Sequence, residues 1–368
     1  MKRTSIRRAI VPGLAALTLA LTACGAGNEA SGDSDSSSSG LSGEIAGGGA
    51  TSQEKAQAAW RAGFQTENPD ATINYDPVGS GTGRENFISG AYAFAGTDSA
   101  LTDEEGELSA ATKRCGGQDV IQVPAYVSPI AVVFNLEGVE RLDLSAPVIA
   151  EIFAGKITTW NDPKIAAEND GMTLPDTPIT PVHRQDDSGT TENFTAYLEA
   201  AGEGAWPYEP DGIWPSEVKG GEAADGTSGL IGAVTGGEGT IGYADASAVG
   251  DLGVVAVKVG DEYNPPSAEG AAKVVAISPR LEGASESDLA VDLARDTTEP
   301  GAYPVVLVSY LIACPSYPAD QAELVKGYLT YVVSPEGQEA AAKEAGSAPL
   351  DQGIQDEALG LLENISTE

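Results

Sequence analysis

Three times in this chain a short apolar strand pattern runs into a turn of Gly, Ser and Thr and then into a helix-like stretch. EIAGGGATSQEKAQAAWRAGF opens at Glu44, and ATINYDPVGSGTGRENFISG carries a strand pattern through Val78, a turn at 79–83 and a helical stretch from Arg84. PITPVHRQDDSGTTENFTAYLEAAG repeats the design, with Phe194, Tyr197 and Leu198 at helical spacing after Thr191. Strand, glycine turn and helix in alternation predict an α/β protein whose sheet is mainly parallel and covered by helices on both faces.

Two near-continuous apolar runs stand apart, VIQVPAYVSPIAVVFNL (120–136) and AYPVVLVSYLIAC (302–314). Their length and β-branched content suit buried strands, and each has Pro close to Tyr, where a chain can pass from one domain to another. Read as crossovers, they divide the body into domain I, 44–127 plus 304–368, and domain II, 128–303. The body runs to roughly 325 residues, enough for two domains of ordinary size. The tail from Asp320, with QAELVKGYLTYVV and EGQEAAAKEAG, reads as helical and is expected to pack on domain I.

The N-terminus is of another kind. MKRTSIRR precedes the apolar run AIVPGLAALTLALTA, so residues 1–23 have the regions of an export signal. The run is shorter than the ~20 residues of a comfortable membrane span. Arg7-Arg8 raises twin-arginine export, but its surroundings fit general secretion better. LTAC, ending at Cys24, resembles a bacterial lipobox, which makes Cys24 the lipidated first residue of the mature chain. Residues 24–43, rich in Gly, Ser and Asp, have the composition of a flexible tether. Only Cys115 and Cys314 then remain, and an even pair in an exported protein is most simply a disulfide; without histidine partners the two make a poor metal site.

The net charge of −35 becomes more negative once the signal, which holds four basic and no acidic residues, is removed. Such a charge argues against nucleic acid as a partner and against long-range attraction of any anion. An anion would have to be held by local dipoles in a closed site. The parts for one are present: Gly49-Ala50-Thr51-Ser52, Gly79-Ser80-Gly81-Thr82-Gly83 and Asp187-Ser188-Gly189-Thr190 each sit where a helix starts. A helix N-terminus offers unpaired N–H groups and a partial positive charge. Any one of these turns alone reads as ordinary capping. Together with Arg184, whose fork suits two oxygens of one tetrahedral anion, and Asp186 to orient that fork, they say more.

GGGATS (47–52), VGSGTG (78–83), FAGTDSAL (94–101), AGKITTWND (154–162), HRQDDSGTT (183–191) and GTIGYAD (239–245) occur in the order and spacing of the phosphate-binding proteins of the bacterial phosphate-specific ABC transporter, and the likeness extends over essentially the whole body. The resemblance implies a periplasmic-binding-protein-like (type II) clamshell, two α/β domains joined by two crossover segments with one dehydrated inorganic phosphate in the cleft. Carried over position by position, it implies Thr51 as hydroxyl and backbone donor, Ser52 as backbone donor, Ser80 as hydroxyl donor and Asp98 as acceptor. Arg184, Ser188, Gly189 and Thr190 would close from the second domain, with Asp186 holding Arg184. Two departures stand out. Ser52 replaces the aromatic common after the GAT, and Asp187 adds a carboxylate where the family has glycine; His183, before the arginine, is expected to be scaffold.

Asp98 makes sense only if the anion carries a proton for it to accept. Phosphate does near neutral pH and sulfate does not, so an acid there would discriminate by repulsion, and a site built on a required polar contact can separate ligands by about 10⁴ to 10⁵. The same fold holding arsenate, sulfate or molybdate is the nearest alternative, with Asp98 arguing against the fully ionised anions. A phosphatase is more distant, because His, Asp and Ser within one turn cannot form a relay and neither metal ligands nor an activated nucleophile is evident. A surface lipoprotein serving adhesion is a third alternative. The expectation is therefore a monomeric, lipid-anchored receptor on the extracytoplasmic face that passes phosphate to ABC permease subunits, performs no catalysis and needs no cofactor or metal.

Overall fold

The computed structural model describes residues 40–103 and 106–368, and the body from Gly40 to Glu368 forms one compact unit. The expected signal (1–23), the lipidation site Cys24 and the tether up to residue 39 lie outside the described residues.

The chain begins with β1 (Ser42–Gly49), α1 (Glu54–Glu67), β2 (Asp70–Asp76), α2 (Ser80–Ile88), β3 (Phe94–Thr97), α3 (Glu107–Arg114) and β4 (Ile121–Asn135). Then come β5 (Arg141–Leu144), α4 (Ala146–Phe153), α5 (Pro163–Glu168), β6 (Thr180–Arg184), α6 (Gly189–Ala201), β7 (Glu222–Ala224), α7 (Gly226–Gly236) and β8 (Thr240–Asp245). The last stretch holds β9 (Gly253–Val259), β10 (Glu262–Asn264), α8 (Ala268–Ile277), β11 (Val306–Ala313), α9 (Ala322–Val333), α10 (Pro335–Ala345) and α11 (Gln352–Leu362). The fold is thus mixed α/β, and each of the three strand–turn–helix segments read from the sequence forms.

Differences of detail have local causes. The first strand starts at Ser42, two residues inside the expected tether, because its alternating side chains pair in parallel with β2 from Ser42↔Asp70 onward. The second strand stops at Asp76 instead of reaching Val78, and α2 begins at Ser80 instead of Arg84. Gly79 adopts φ 94° as the residue before that helix, a conformation glycine takes without steric cost, so the turn is short and SGTG becomes the first helical turn.

The sheet is mixed where a mainly parallel one was expected. Along β2-β1-β3-β11-β4-β8-β6-β7 the outer pairs are parallel, whereas β11 runs antiparallel to both β3 and β4, and β4 antiparallel to β8. The two long apolar runs are the antiparallel centre. β4 pairs with β11 as far as Pro129↔Val306 and with β8 from Ile130↔Asp245, so this one buried strand serves both halves of the sheet in turn.

Each half has its own aromatic packing. Trp60 of α1 meets Tyr126 of β4 edge-on, and Phe64 meets Tyr328 of α9 at 5.4 Å. In the other half Phe194 of α6 stacks on Tyr243 of β8 at 4.3 Å and meets Phe153 of α4 at 4.8 Å. Cys115, at the end of α3, and Cys314, just after β11, form the expected disulfide. Among the described residues no helix is long and apolar enough to cross a membrane.

Candidate functional site

Four chain turns converge in the structure. Thr51 opens a single 3-10 turn leading into α1, Ser80 opens α2, Gly189 opens α6 and Gly226 opens α7. Direct bonds tie them together. The Thr51 and Thr227 hydroxyls lie 2.9 Å apart, the Gly81 N–H donates to the Asp187 carbonyl at 3.3 Å, and the Thr190 hydroxyl donates to Asp98 Oδ2 at 3.1 Å. Close approach is compulsory here: a Cβ on Gly189 would lie 2.7 Å from both Asp98 Cβ and Ser80 Oγ.

Asp98, one residue past β3, is 3 % exposed. Its Oδ1 accepts from Ser52 Oγ at 2.7 Å and from Ser309 Oγ at 2.6 Å. Its backbone N–H donates to Ser80 Oγ at 3.1 Å, which leaves the Ser80 proton for another acceptor, and its carbonyl accepts from Asn193 Nδ2 at 2.8 Å. Burial pushes the Asp98 carboxyl upward from its ordinary range, and the Ser309, Ser52 and Thr190 hydroxyls with the nearby Arg184 charge hold it down in part.

Arg184 ends β6 with a side chain 2 % exposed. Asp186 grips it at both Nε (2.7 Å) and Nη2, leaving Nη1 outside the pair. Burial pushes Asp186 upward, but the guanidinium and the Gly226 N–H, which donates to Oδ1 at 3.0 Å, bring its carboxyl below the ordinary range. The arginine's own N–H donates to Tyr243 OH at 3.2 Å, and that hydroxyl also pairs with Thr191 Oγ1 at 2.8 Å. The aromatic core of this half is thereby joined to the arginine.

Ser188 caps α6 by accepting from the Thr191 N–H at 3.2 Å, while its own N–H goes to the Gly212 carbonyl. Helical geometry leaves the N–H groups of Gly189 and Thr190 without intrahelical partners. The structure thus brings Thr51, Ser52, Ser80, Asp98, Arg184, Asp186, Ser188, Gly189 and Thr190 into one region through bonds between them or to shared neighbours. The Asp187 carboxylate packs against Gly81 of α2 and lies 3.9 Å from the buried Arg84, itself held by Glu107 at 2.8 Å. His183, next to Arg184 on β6, stacks on Trp214 at 4.9 Å.

Sequence reasoning missed three participants. Asp225-Gly226-Thr227 repeats the Gly/Thr grammar of the other turns and could have been found by it. Ser309 is the polar residue inside the apolar strand Val306–Ala313, a visible signal for a buried partner. Tyr243 lies in the GTIGYAD motif, but its contact with Arg184 follows from the pairing of β6 with β8, which the sequence did not show. Among the described residues no group of three or more His, Cys, Asp or Glu is placed to hold a metal ion.

What the arrangement offers is a concentration of N–H and O–H donors with one fixed guanidinium, and in their midst a buried carboxyl that, while ionised, can only accept. That set suits a compact tetrahedral oxyanion still carrying a proton.

Comparison with known proteins agrees in kind. A PBP superfamily domain model matches residues 34–336. The chain is 36 % identical to the phosphate-binding protein PstS2 of Mycobacterium bovis, with 94 % of this chain and 95 % of the relative covered. It is 34 % identical to the phosphate-binding protein PstS 3 of Mycobacterium leprae, with 92 % and 93 % covered. Among solved structures, the phosphate-bound PfluDING, a high-affinity periplasmic phosphate-binding protein, superposes with a TM-score of 0.68 at 25 % identity, covering 85 % of this chain and 92 % of that one. The chain belongs to the PBP superfamily and, within it, to the family of phosphate-binding proteins that these relatives represent.

Proposed function

We propose that this protein is an extracytoplasmic receptor that binds inorganic phosphate between the two halves of its sheet and delivers it to an ABC permease for import. The observation that carries the reading is the buried Asp98 carboxylate set as an acceptor among the donors of Thr51, Ser52, Ser80, Arg184, Ser188, Gly189 and Thr190. Phosphate presents a proton to Asp98 and oxygens to the rest. Sulfate and molybdate would oppose a negative charge to Asp98 with no hydrogen bond between, whereas arsenate shares phosphate's protonation and is the ligand this chemistry separates least. The protein binds and releases its cargo without reacting with it.

The same reading gives the domains their meaning. We assign 44–127 plus 304–368 to one lobe and 128–303 to the other, a division supported by the transfer of β4 from β11 to β8 at Pro129/Ile130. The bonds Thr51 to Thr227, Thr190 to Asp98, Gly81 to Asp187 and Lys55 to the Ser247 carbonyl then run from lobe to lobe and belong to a closed form. Opening breaks them and gives the ligand entry; the gain of such contacts on closure lets a permease tell loaded from empty receptor. Cys24 would carry the lipid that holds a monomeric receptor at the outer face of the cell membrane.

A thermal-shift series tests the assignment. A ligand at 1,000 times its Kd adds about 4 kcal/mol to stability, so phosphate should raise Tm by several degrees and equal sulfate should leave it unmoved. An equal shift by both anions would remove phosphate as the cargo.

A further inference from the structure

A buried row of hydrogen bonds ends on Asp98. The Tyr328 hydroxyl donates to Gln57 Oε1 at 2.7 Å, Gln57 Nε2 to Gln53 Oε1 at 2.8 Å, Gln53 Nε2 to Ser309 Oγ at 2.6 Å, and Ser309 Oγ to Asp98 Oδ1 at 2.6 Å. Gln53, Gln57, Tyr328 and Ser309 are all 0 % exposed. Buried polar side chains linked over such distances in sequence are costly unless every partner is in place.

The direction of the row is fixed by its surroundings. A side-chain amide can in principle be turned end for end, but Gln53 Nε2 also donates to the Tyr310 carbonyl at 3.3 Å, and a carbonyl there would repel Oε1. The sheet is irregular beside that carbonyl. The pairing of β11 with β4 shifts register between Ser309 and Tyr310, and Pro124, which has no N–H, stands opposite Tyr310. Receiving from Gln53, the Ser309 hydroxyl has its single proton left for Asp98.

We propose that Ser309, oriented by the Tyr328–Gln57–Gln53 row, is a specificity-determining positioning residue that keeps Asp98 facing the bound anion only as a proton acceptor. The proposal deepens the phosphate-receptor reading and rests on it. Its physical content is protection of the filter in acid. A buried carboxylate takes up a proton as pH falls, and a protonated Asp98 would donate to sulfate and erase the discrimination. With Ser52 and Ser309 both donating to Oδ1, a proton on that oxygen would meet two O–H groups head-on, and Oδ2 is already shared with Thr190. Ionisable groups near Asp98 among the described residues include Arg184, which favours its ionised form; Tyr75; Arg84, which donates to the adjacent Thr97 hydroxyl; Glu192, bonded by Ser99; and Arg295, which reaches the Asn193 that holds the Asp98 carbonyl. Among the described residues the side chains donating to the Asp98 carboxylate are the three hydroxyls of Ser52, Ser309 and Thr190.

The test is the ratio of sulfate Kd to phosphate Kd, measured calorimetrically at pH 7.5 and 5.5 for the wild type and for Ser309→Ala, Ser309→Thr and Gln53→Met. Changes in the protonation of phosphate itself affect all four proteins alike and cancel on comparison. Loss of one hydrogen bond to a charged group corresponds to about tenfold or more in the stability of that charge. Ser309→Ala is therefore expected to lose affinity for phosphate and to shed about tenfold of its selectivity between pH 7.5 and 5.5 relative to the wild type. Ser309→Thr should restore the wild-type profile, and Gln53→Met, which removes the orienting donor, should move the same way by less. A Ser309→Ala protein whose ratio follows the wild type at both pH values, whatever uniform affinity it has lost, overturns the inference; so does Gln53→Met doing so if the alanine variant fails to fold. Wild-type protein that does not prefer phosphate at pH 7.5 instead brings down the receptor reading, and the inference with it.

Discussion

Asp98 and Arg184 are both buried and oppositely charged, and each is stabilised by a different device. Arg184 has a private counter-ion in Asp186, so its orientation survives whether or not an anion is bound, whereas Asp98 is held by neutral hydroxyls. Arg184→Ala is expected to weaken phosphate binding by well over about tenfold, since a charge-assisted pair of bonds is lost, and to leave Asp186 buried without its partner. Asp98→Asn should weaken phosphate binding too while narrowing the gap to sulfate, because an amide can donate where a carboxylate repels; competition binding with both anions measures it. The sequence singled out both residues through their motifs, and the structure buries both. Ser52 was legible only in part: its backbone was expected to serve, whereas its hydroxyl is committed to Asp98. Asp245 shows what the sequence concealed. Sitting in GTIGYAD, it is fully buried beneath the Tyr126 hydroxyl, and burial raises its carboxyl to about 6. A carboxyl raised on folding binds protons more readily in the folded state, so stability falls as pH climbs from about 4 through about 6. Asp245→Asn should flatten that slope by about 2 kcal/mol between pH 4.5 and 7.5, read from denaturant unfolding at the two pH values.

At the scale of elements, the site is a meeting of helix beginnings, and caps matter differently by place. Ser188 caps α6 inside the site and Ser267 caps α8 outside it, accepting from the Gly270 N–H at 3.1 Å. Either serine changed to alanine should cost about 1 kcal/mol of stability. Only Ser188→Ala should also weaken phosphate binding, so paired denaturation and titration curves separate a cap from a ligand. Turn grammar made α1, α2 and α6 readable in advance, and it would have given α7 as well. Strand direction was not readable. Alternation of strand and helix implies parallel neighbours, but β4 and β11 return against that direction because they link the halves instead of closing a strand–helix–strand unit. Nor did the sequence announce the displaced register at Ser309/Tyr310, where Tyr310 stands opposite a proline of a strand distant in the chain.

The whole molecule joins an acidic surface to an anion site, a combination that works only because the donors are local and enclosed. Its connectivity is closed covalently by Cys115–Cys314, which spans 199 residues of chain. A loop of that length restricts the unfolded state enough to be worth roughly 5 kcal/mol by chain entropy. Replacing both cysteines by serine should lower stability by up to about that amount while leaving the anion site intact, as equilibrium unfolding of oxidised wild type against the double variant would show. The pairing was legible from cysteine arithmetic alone; the long apolar runs were legible as buried strands, and they form the antiparallel centre of the sheet.

The central claim is that this site selects a protonated tetrahedral oxyanion. Calorimetric titration of residues 40–368, freed of carried-over ligand, with phosphate and then sulfate near pH 7 tests it most directly. The account predicts tight one-to-one phosphate binding and negligible sulfate heat. Sulfate binding of equal strength would contradict it, because a buried, ionised Asp98 could not then be facing the ligand.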